Sequence, residues 1–200
     1  MAKAPRTPIS LRLYRGSMRA ATPLTGLMLN RRIRHGKEDP ARIGERNGIP
    51  STPRPDGPLV WVHGASVGEI VSVFPLLESI QHYGYTVLLT SGTVTSARIA
   101  ADRLPDGVLH QFVPLDTPKF MKRFLDHWHP DLVLLTESEL WPNLILQAAE
   151  ADTPIVLING RLSASSFGRW KKMKRTASAL FERIDLLLAQ DPDDAQRFAK

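Results

Sequence analysis

The chain has 200 residues, of which 42% are hydrophobic and 23% charged, a balance that excludes wholesale disorder; its 16 Pro and 13 Gly are spread along it, which excludes collagen-like and low-complexity chains. It has no Cys, and so no disulfides, zinc ribbons, iron–sulfur clusters or thiol nucleophiles. The net charge of +6 divides unevenly: residues 1–57 carry +8 and residues 58–200 carry −2, so the positive charge lies ahead of the periodic body, which counts against a nucleic-acid-binding domain.

The N-terminal stretch MAKAPRTPISLRLYRGSMRAATPLTGLMLNRRIRHGK is rich in Arg, lacks acids and is partly apolar. Leu11, Tyr14 and Met18 fall near one helical face, and Leu24, Leu27 and Met28 form a second group after Pro23. Three readings stand: a basic amphipathic segment on an anionic membrane surface, a mitochondrial transit peptide, or a solvated basic helix packed on the domain. Arg interrupts any apolar core, so it is no secretory signal, and no run reaches the roughly 18–20 apolar residues of a membrane span. Residues 37–58, with five Pro and three Gly, read as a turn-rich connection. The expected division is therefore a segment and linker over 1–57 and a domain over 58–200.

From residue 58 short Val-, Ile- and Leu-rich runs recur at Leu59–His63, Thr86–Thr90, Val108–Pro114, Leu132–Thr136, Ile155–Asn159 and Asp185–Ala189. Such runs read as strands buried on both faces of a parallel sheet. Helical periodicity lies between them, over Val67–His82, Val94–Leu104, Pro118–Trp128, Leu140–Glu150 and Ser163–Arg183. The alternation predicts an α/β fold: a doubly wound, Rossmann-like parallel sheet, with the Rossmann strand order adopted by analogy.

In such sheets ligands sit beyond the carboxyl ends of the strands, so the chemistry is sought in five loops. The first, HGASVGE, places Ser66 as a helix N-cap and Glu69 three residues later. Glu69 is then either the partner in a capping box or a general base facing the cleft. The loop has neither the G-x-G-x-x-G pattern nor the Gly-Lys-Ser/Thr of a P-loop, and the second strand ends without a ribose-binding acid, so no nucleotide cofactor is implied. The fourth loop, TESELWPN, brings Glu137 and Glu139 to a strand end, where they either favour the positive helix N-terminus or shape an active site. The fifth, NGRLSASS, sets Arg161 where it could pair with either glutamate or hold an anion. The basic run Gly168–Arg175 reads as a solvated helix face or as a site for phosphates or lipid headgroups. The six His show no metal-ligand spacing, so no metal is expected.

Taken in order, HGASVGE, TSGTVTSA, VPLDTP, TESELWPNLI, NGRLSASS and AQDPDDAQRF resemble the Kdo transferases, which add 3-deoxy-D-manno-oct-2-ulosonic acid (Kdo) to lipid A precursor in Gram-negative bacteria; the upstream KEDPARIGERNGI extends the resemblance to residues 37–200. The resemblance implies the N-terminal, acceptor domain of an inverting GT-B glycosyltransferase, with the donor CMP-Kdo held by a C-terminal domain beyond this chain. It implies Glu69 as general base and Glu137 as a second catalytic residue. Ser66, Gly68, Glu139, Arg161 and Ser163 become acceptor-binding or supporting residues. It also favours the membrane reading of the N-terminal segment, as peripheral or monotopic association at the cytoplasmic face of the inner membrane. The expected partners are CMP-Kdo, lipid A precursor and an anionic membrane surface, with no nucleic acid. Two other classes remain: a non-catalytic lipid- or nucleotide-sugar-binding module, in which Glu69 is only a cap, and a nucleic-acid binder driven by the basic segment.

Overall fold

The computed structural model describes residues 7–200; the first six positions of the basic segment lie outside the described residues. In chain order the elements are α1 (Ile9–Ala21), a 3-10 turn (Thr22–Leu24), α2 (Thr25–Arg34), a second 3-10 turn (Pro40–Arg42), α3 (Ile43–Arg46), β1 (Leu59–Gly64), α4 (Val67–His82), β2 (Thr86–Ser91), α5 (Val94–Arg103), β3 (Leu109–Phe112), α6 (Pro118–Trp128), β4 (Leu132–Thr136), α7 (Pro142–Glu150), β5 (Ile155–Gly160), α8 (Ala164–Lys172), α9 (Lys174–Phe181), β6 (Leu186–Ala189) and α10 (Pro192–Phe198). The six strands form one parallel sheet in the order β3-β2-β1-β4-β5-β6, the Rossmann order adopted above by analogy.

Local chemistry sets the helix starts. Ser66 caps α4, Thr117 caps α6 ahead of Pro118, and Thr93 caps α5 in a reciprocal capping box with Ser96. Alternate residues of the strands feed two cores. Trp61, Leu88, Leu135 and Leu157 pack with Phe124 and Trp128 of α6, Leu144 of α7 and Leu180 of α9. Val60, Val62, Val87 and Leu89 pack with Ile70, Val73 and Leu77 of α4 and Ala100 of α5.

Three local readings change. The helix expected over Ser163–Arg183 is two helices, because the backbone at Met173 (φ −115°, ψ 39°) leaves the helical region. The sixth strand is not buried on both faces. Leu186 and Leu188 are 51% and 49% exposed, since α4 and α5 stand over the other half of the sheet and leave this face of β6 open. The face of α1 marked by Leu11, Tyr14 and Met18 turns inward: Leu11 is 2% exposed in the core with α6, and the Tyr14 hydroxyl donates to Asp116 (2.9 Å). Arg15 adds a paired bond to Glu150. The large apolar residues left outside on α1, the turn after it and α2 are Ile9, Leu13, Leu24, Leu27 and Met28.

Residues 37–58 hold more than turns. Glu38, Glu45 and Arg46 are buried, and the Glu45 carboxylate accepts the Phe112 N–H at the end of β3 (2.6 Å). Gly48 has φ +71°, and a Cβ there would stand 2.2 Å from the Phe120 carbonyl oxygen, so only glycine lets this segment lie against α6.

The inward docking of α1 is directly testable. Leu11→Ala should destabilise the chain by about 2–5 kcal/mol, the range for an emptied core position, whereas Leu13→Ala should stay within about 0.5 kcal/mol. Urea denaturation of the two variants reads the difference, and equal effects would contradict the docked orientation.

Candidate active site

Strand order reverses between β1 and β4, and at that switch point the loops after the two strands leave in opposite directions and open a crevice. Thr136, the last residue of β4, places its hydroxyl 3.0 Å from both the His63 carbonyl of β1 and Oε2 of Glu69, and donates its proton between them. The same Oε2 accepts the Ala65 N–H (2.9 Å), while the Glu69 N–H donates to Ser66 Oγ (3.3 Å). Glu69 is 8% exposed at the first turn of α4, where the helix dipole favours a negative charge. The reciprocal capping box is not formed: Oε2 takes the N–H of Ala65, one residue ahead of the N-cap Ser66, and among the described residues Oε1 accepts no hydrogen bond.

Ser66 and Gly68 lie exposed above it on the same turn. Gly68 has no packing reason to be glycine, since a Cβ there would meet nothing nearer than Ser66 Oγ at 4.0 Å. A missing side chain at this exposed turn leaves the backbone open to close approach.

The fourth and fifth loops are clipped together. Glu137 (φ 51°), the residue after β4, and Asn159 (φ 52°), next to last in β5, lie in the left-handed region. The Glu137 N–H donates to the Ile158 carbonyl (3.0 Å), the Arg161 N–H donates to the Glu137 carbonyl (3.2 Å), and the Ser138 hydroxyl donates to the Arg161 carbonyl (2.6 Å). For a glutamate such backbone costs about 1–3 kcal/mol and persists where surrounding bonds over-determine it, a pattern concentrated at active sites. The half-buried Glu137 carboxylate makes no hydrogen bond among the described residues. The pairing of Arg161 with Glu137 or Glu139 is not formed among the described residues: Arg161 is exposed and its backbone, not its guanidinium, joins the loops. Ser163 caps α8 by accepting the Ser166 N–H (3.2 Å).

Glu139 turns back toward β1. It accepts the indole N–H of Trp141, and its Oε2 lies 3.5 Å from Nε2 of His63, a ring fully buried at the end of β1. Among the described residues that Nε2 makes no hydrogen bond, while Nδ1 sits 2.9 Å from the Thr90 hydroxyl, which also accepts the Trp61 indole N–H. Burial raises the Glu139 carboxyl, but the His63 ring and the Trp141 N–H outweigh it and hold the group below the ordinary glutamate range.

Several residues that shape the crevice give weak sequence signals. Thr136 stands out only as a hydroxyl ending an apolar strand. Asp116 lies in the LDTP stretch and caps α7 from a distance, accepting the N–H groups of Asn143 (3.1 Å) and Leu144 (3.0 Å) along with the Tyr14 hydroxyl. Burial outweighs those bonds and raises the Asp116 carboxyl; burial first, then the nearby carboxyl, raises the Tyr14 hydroxyl. Among the described residues no group of three or more His, Asp or Glu could hold a metal ion. A cavity of about 330 Å3 beside Leu162 is lined by Phe167, Trp170 and Phe181 with Lys171 and Lys174, which brings part of the basic run to the flank of the fifth loop. A larger one of about 370 Å3 lies at the other end of the sheet, beside the start of β5, and touches none of these residues.

Because the Glu139 carboxyl is held low in the folded state, it contributes stability that is complete above the ordinary glutamate value and is lost as pH falls through its lowered folded value. Glu139→Gln should therefore destabilise the protein at neutral pH, and the gap should close on acidification. Urea denaturation across pH checks this, and a gap that widens in acid would contradict it.

Comparison with known proteins bears on the same loops. The family described as 3-deoxy-D-manno-octulosonic-acid transferase (kdotransferase) matches residues 41–200. A probable 3-deoxy-D-manno-octulosonic acid transferase, mitochondrial, from Arabidopsis thaliana is 40% identical over 181 residues, covering 90% of this chain and 39% of that protein. The 3-deoxy-D-manno-octulosonic acid transferase of Rickettsia bellii is 36% identical over 190 residues (94% of this chain, 45% of its own length), and that of Haemophilus influenzae 36% over 163 residues (79% and 38%). The chain thus spans about two fifths of the length of these relatives. With its switch-point crevice carrying the matched loops, the chain belongs to the 3-deoxy-D-manno-octulosonic-acid transferase family.

Proposed function

We propose that this chain is the acceptor half of an inverting, GT-B-type glycosyltransferase that moves Kdo from CMP-Kdo to lipid A precursor in lipopolysaccharide synthesis. Glu69 is its general base. The observation that carries the reading is the lopsided bonding of that carboxylate: Ala65 and Thr136 both engage Oε2, which leaves Oε1 to accept a proton. In the reaction an acceptor hydroxyl attacks the anomeric carbon of Kdo and gives its proton to Oε1, while the bond to the CMP phosphate breaks and its electrons leave with CMP. Glu137, held in strained backbone at the opposite lip, supports the transition state, and Glu139, braced by Trp141 and facing His63, keeps the floor of the crevice in place. Ser66, Gly68, Arg161 and Ser163 line the approach of the acceptor, and the lysines beside the fifth loop suit its phosphates. The donor is held by a domain beyond this chain. The apolar residues left outside on α1 and α2, interleaved with Arg12, Arg19, Arg31 and Arg34, support peripheral association with the anionic cytoplasmic face of the inner membrane. No helix among the described residues is long and apolar enough to cross a membrane.

The capping bond between Ser66 and the Glu69 N–H favours a second reading, a lipid- or nucleotide-sugar-binding module in which Glu69 only starts a helix. Glu69→Gln in the full-length enzyme separates the two. It should lower kcat by about 10²–10⁴-fold with folding intact, the usual worth of a positioned base, and retained turnover would sink the assignment. For the surface reading, Leu13→Glu with Leu27→Glu should weaken binding to anionic vesicles at least about tenfold, since each buried leucine is worth about 1.5–3 kcal/mol. Unchanged vesicle binding would refute it.

A further inference from the structure

Arg46 lies in the turn-rich stretch ahead of the first strand, yet it is 4% exposed and every one of its bonds is made to the interior. Its Nε donates to Glu38 (2.8 Å), Nη1 to the Val113 carbonyl (3.0 Å) and Nη2 to the Gly92 carbonyl (2.6 Å). Its guanidinium also lies over the Phe112 ring, 4.6 Å from the centroid. Val113 and Gly92 follow the carboxyl ends of β3 and β2, so one side chain ties two strand ends together. Beyond Gly92 the connection continues without a flexible group. The Gly92 N–H donates to the Ala65 carbonyl (3.1 Å), and the Ala65 N–H donates to Glu69 Oε2 (2.9 Å). The second and first loops touch through backbone alone, because a Cβ on Gly92 would stand 2.8 Å from the Ala65 oxygen.

We propose that Arg46 is a positioning residue for the Glu69 carboxylate, acting through the backbone of Gly92 and Ala65. The proposal rests on the reading of Glu69 as base. Thr136 fixes that carboxylate from the β4 side, and Arg46, two peptide loops away, fixes it from the β2–β3 side. A charge-neutral donor would leave the buried Glu38 carboxylate (side chain 2% exposed) paired only with the part-exposed Arg32. Lysine keeps the charge but not the planar fork that reaches Glu38 and two carbonyls at once.

The test uses Arg46→Lys and Gly92→Ala in the full-length enzyme, beside Glu69→Gln. Gly92→Ala disturbs the same link without removing a charge, and it carries the test alone if Arg46→Lys does not fold. Each should lower kcat by about tenfold to a hundredfold, the cost of a small misplacement of a catalytic group, with KM for donor and acceptor within about twofold. Amide exchange at Ala65 should accelerate in both, while amides inside the sheet such as Leu134 keep their protection. Unchanged kcat, lost kcat with Ala65 protection intact, or exchange that accelerates throughout the sheet would each overturn the proposal. Retained turnover in Glu69→Gln would instead remove the reading beneath it, and that outcome is visible independently of what Arg46→Lys does.

Discussion

The hydroxyl of Thr136 spans the one place where the sheet has no loop to hold it together. β1 and β4 are neighbours in space but far apart in the chain, and beyond the last ladder bonds their carboxyl ends would be free to splay. By donating between the His63 carbonyl and the Glu69 carboxylate, Thr136 ties the end of β4 to both the end of β1 and the helix that follows it. A buried carboxylate is expensive unless its lone pairs are used, and a buried hydroxyl unless it finds an acceptor, so each satisfies the other's requirement. The crevice, the exposed turn of α4 and the strained fourth loop all take their positions from that junction.

The rest of the carboxyl edge is closed in the same manner, by polar groups arriving from elsewhere. Arg46 joins β2 to β3, and Glu45 adds the Phe112 N–H. Helix α7 begins after Trp141, which offers no side-chain cap, and Asp116 supplies the missing acceptor across the α6 side of the sheet. That same carboxylate takes the Tyr14 hydroxyl, so α1 and the fourth loop share an anchor. These partners are 27 to 102 residues apart in sequence, and only the fold brings them into reach.

That separation explains what could be seen beforehand. Strand positions and the helices Val67–His82 and Pro118–Trp128 were legible, because both-face burial leaves unbroken Val/Ile/Leu runs and because Ser66 and Thr117–Pro118 are local start signals; the strand order came from analogy alone. The break at Met173 was not, since no Gly or Pro marks it. Nor was the open face of β6, whose Leu186 and Leu188 look like any core strand until the placement of α4 and α5 is known. Periodicity sets Leu11 with Tyr14 on one face of α1 and Leu13 off it, but that this face turns to the body is decided by the bond from Tyr14 to Asp116, which the sequence does not show. At the crevice, Glu69 was readable from its motif, with two roles open. Its three supports, Ala65 N–H, Thr136 and the route back to Arg46, were silent, because long-range hydrogen bonding leaves no spacing to detect.

Tyr14, Leu11 and Arg15 stitch the inner side of α1 to the body at three points, and Ile9, Leu13, Leu24, Leu27 and Met28 are left facing outward on α1, the turn after it and α2. Helices fastened in this way behave as a mount and not as a tether. Whatever surface seats the outward residues, the height and tilt of the Glu69 crevice above it are set by the fold, with no slack to search for a better angle. On the proposed reading of Glu69 as base, reach then joins affinity as a criterion of selection: an acceptor would have to present its hydroxyl at the level where the mount holds the crevice.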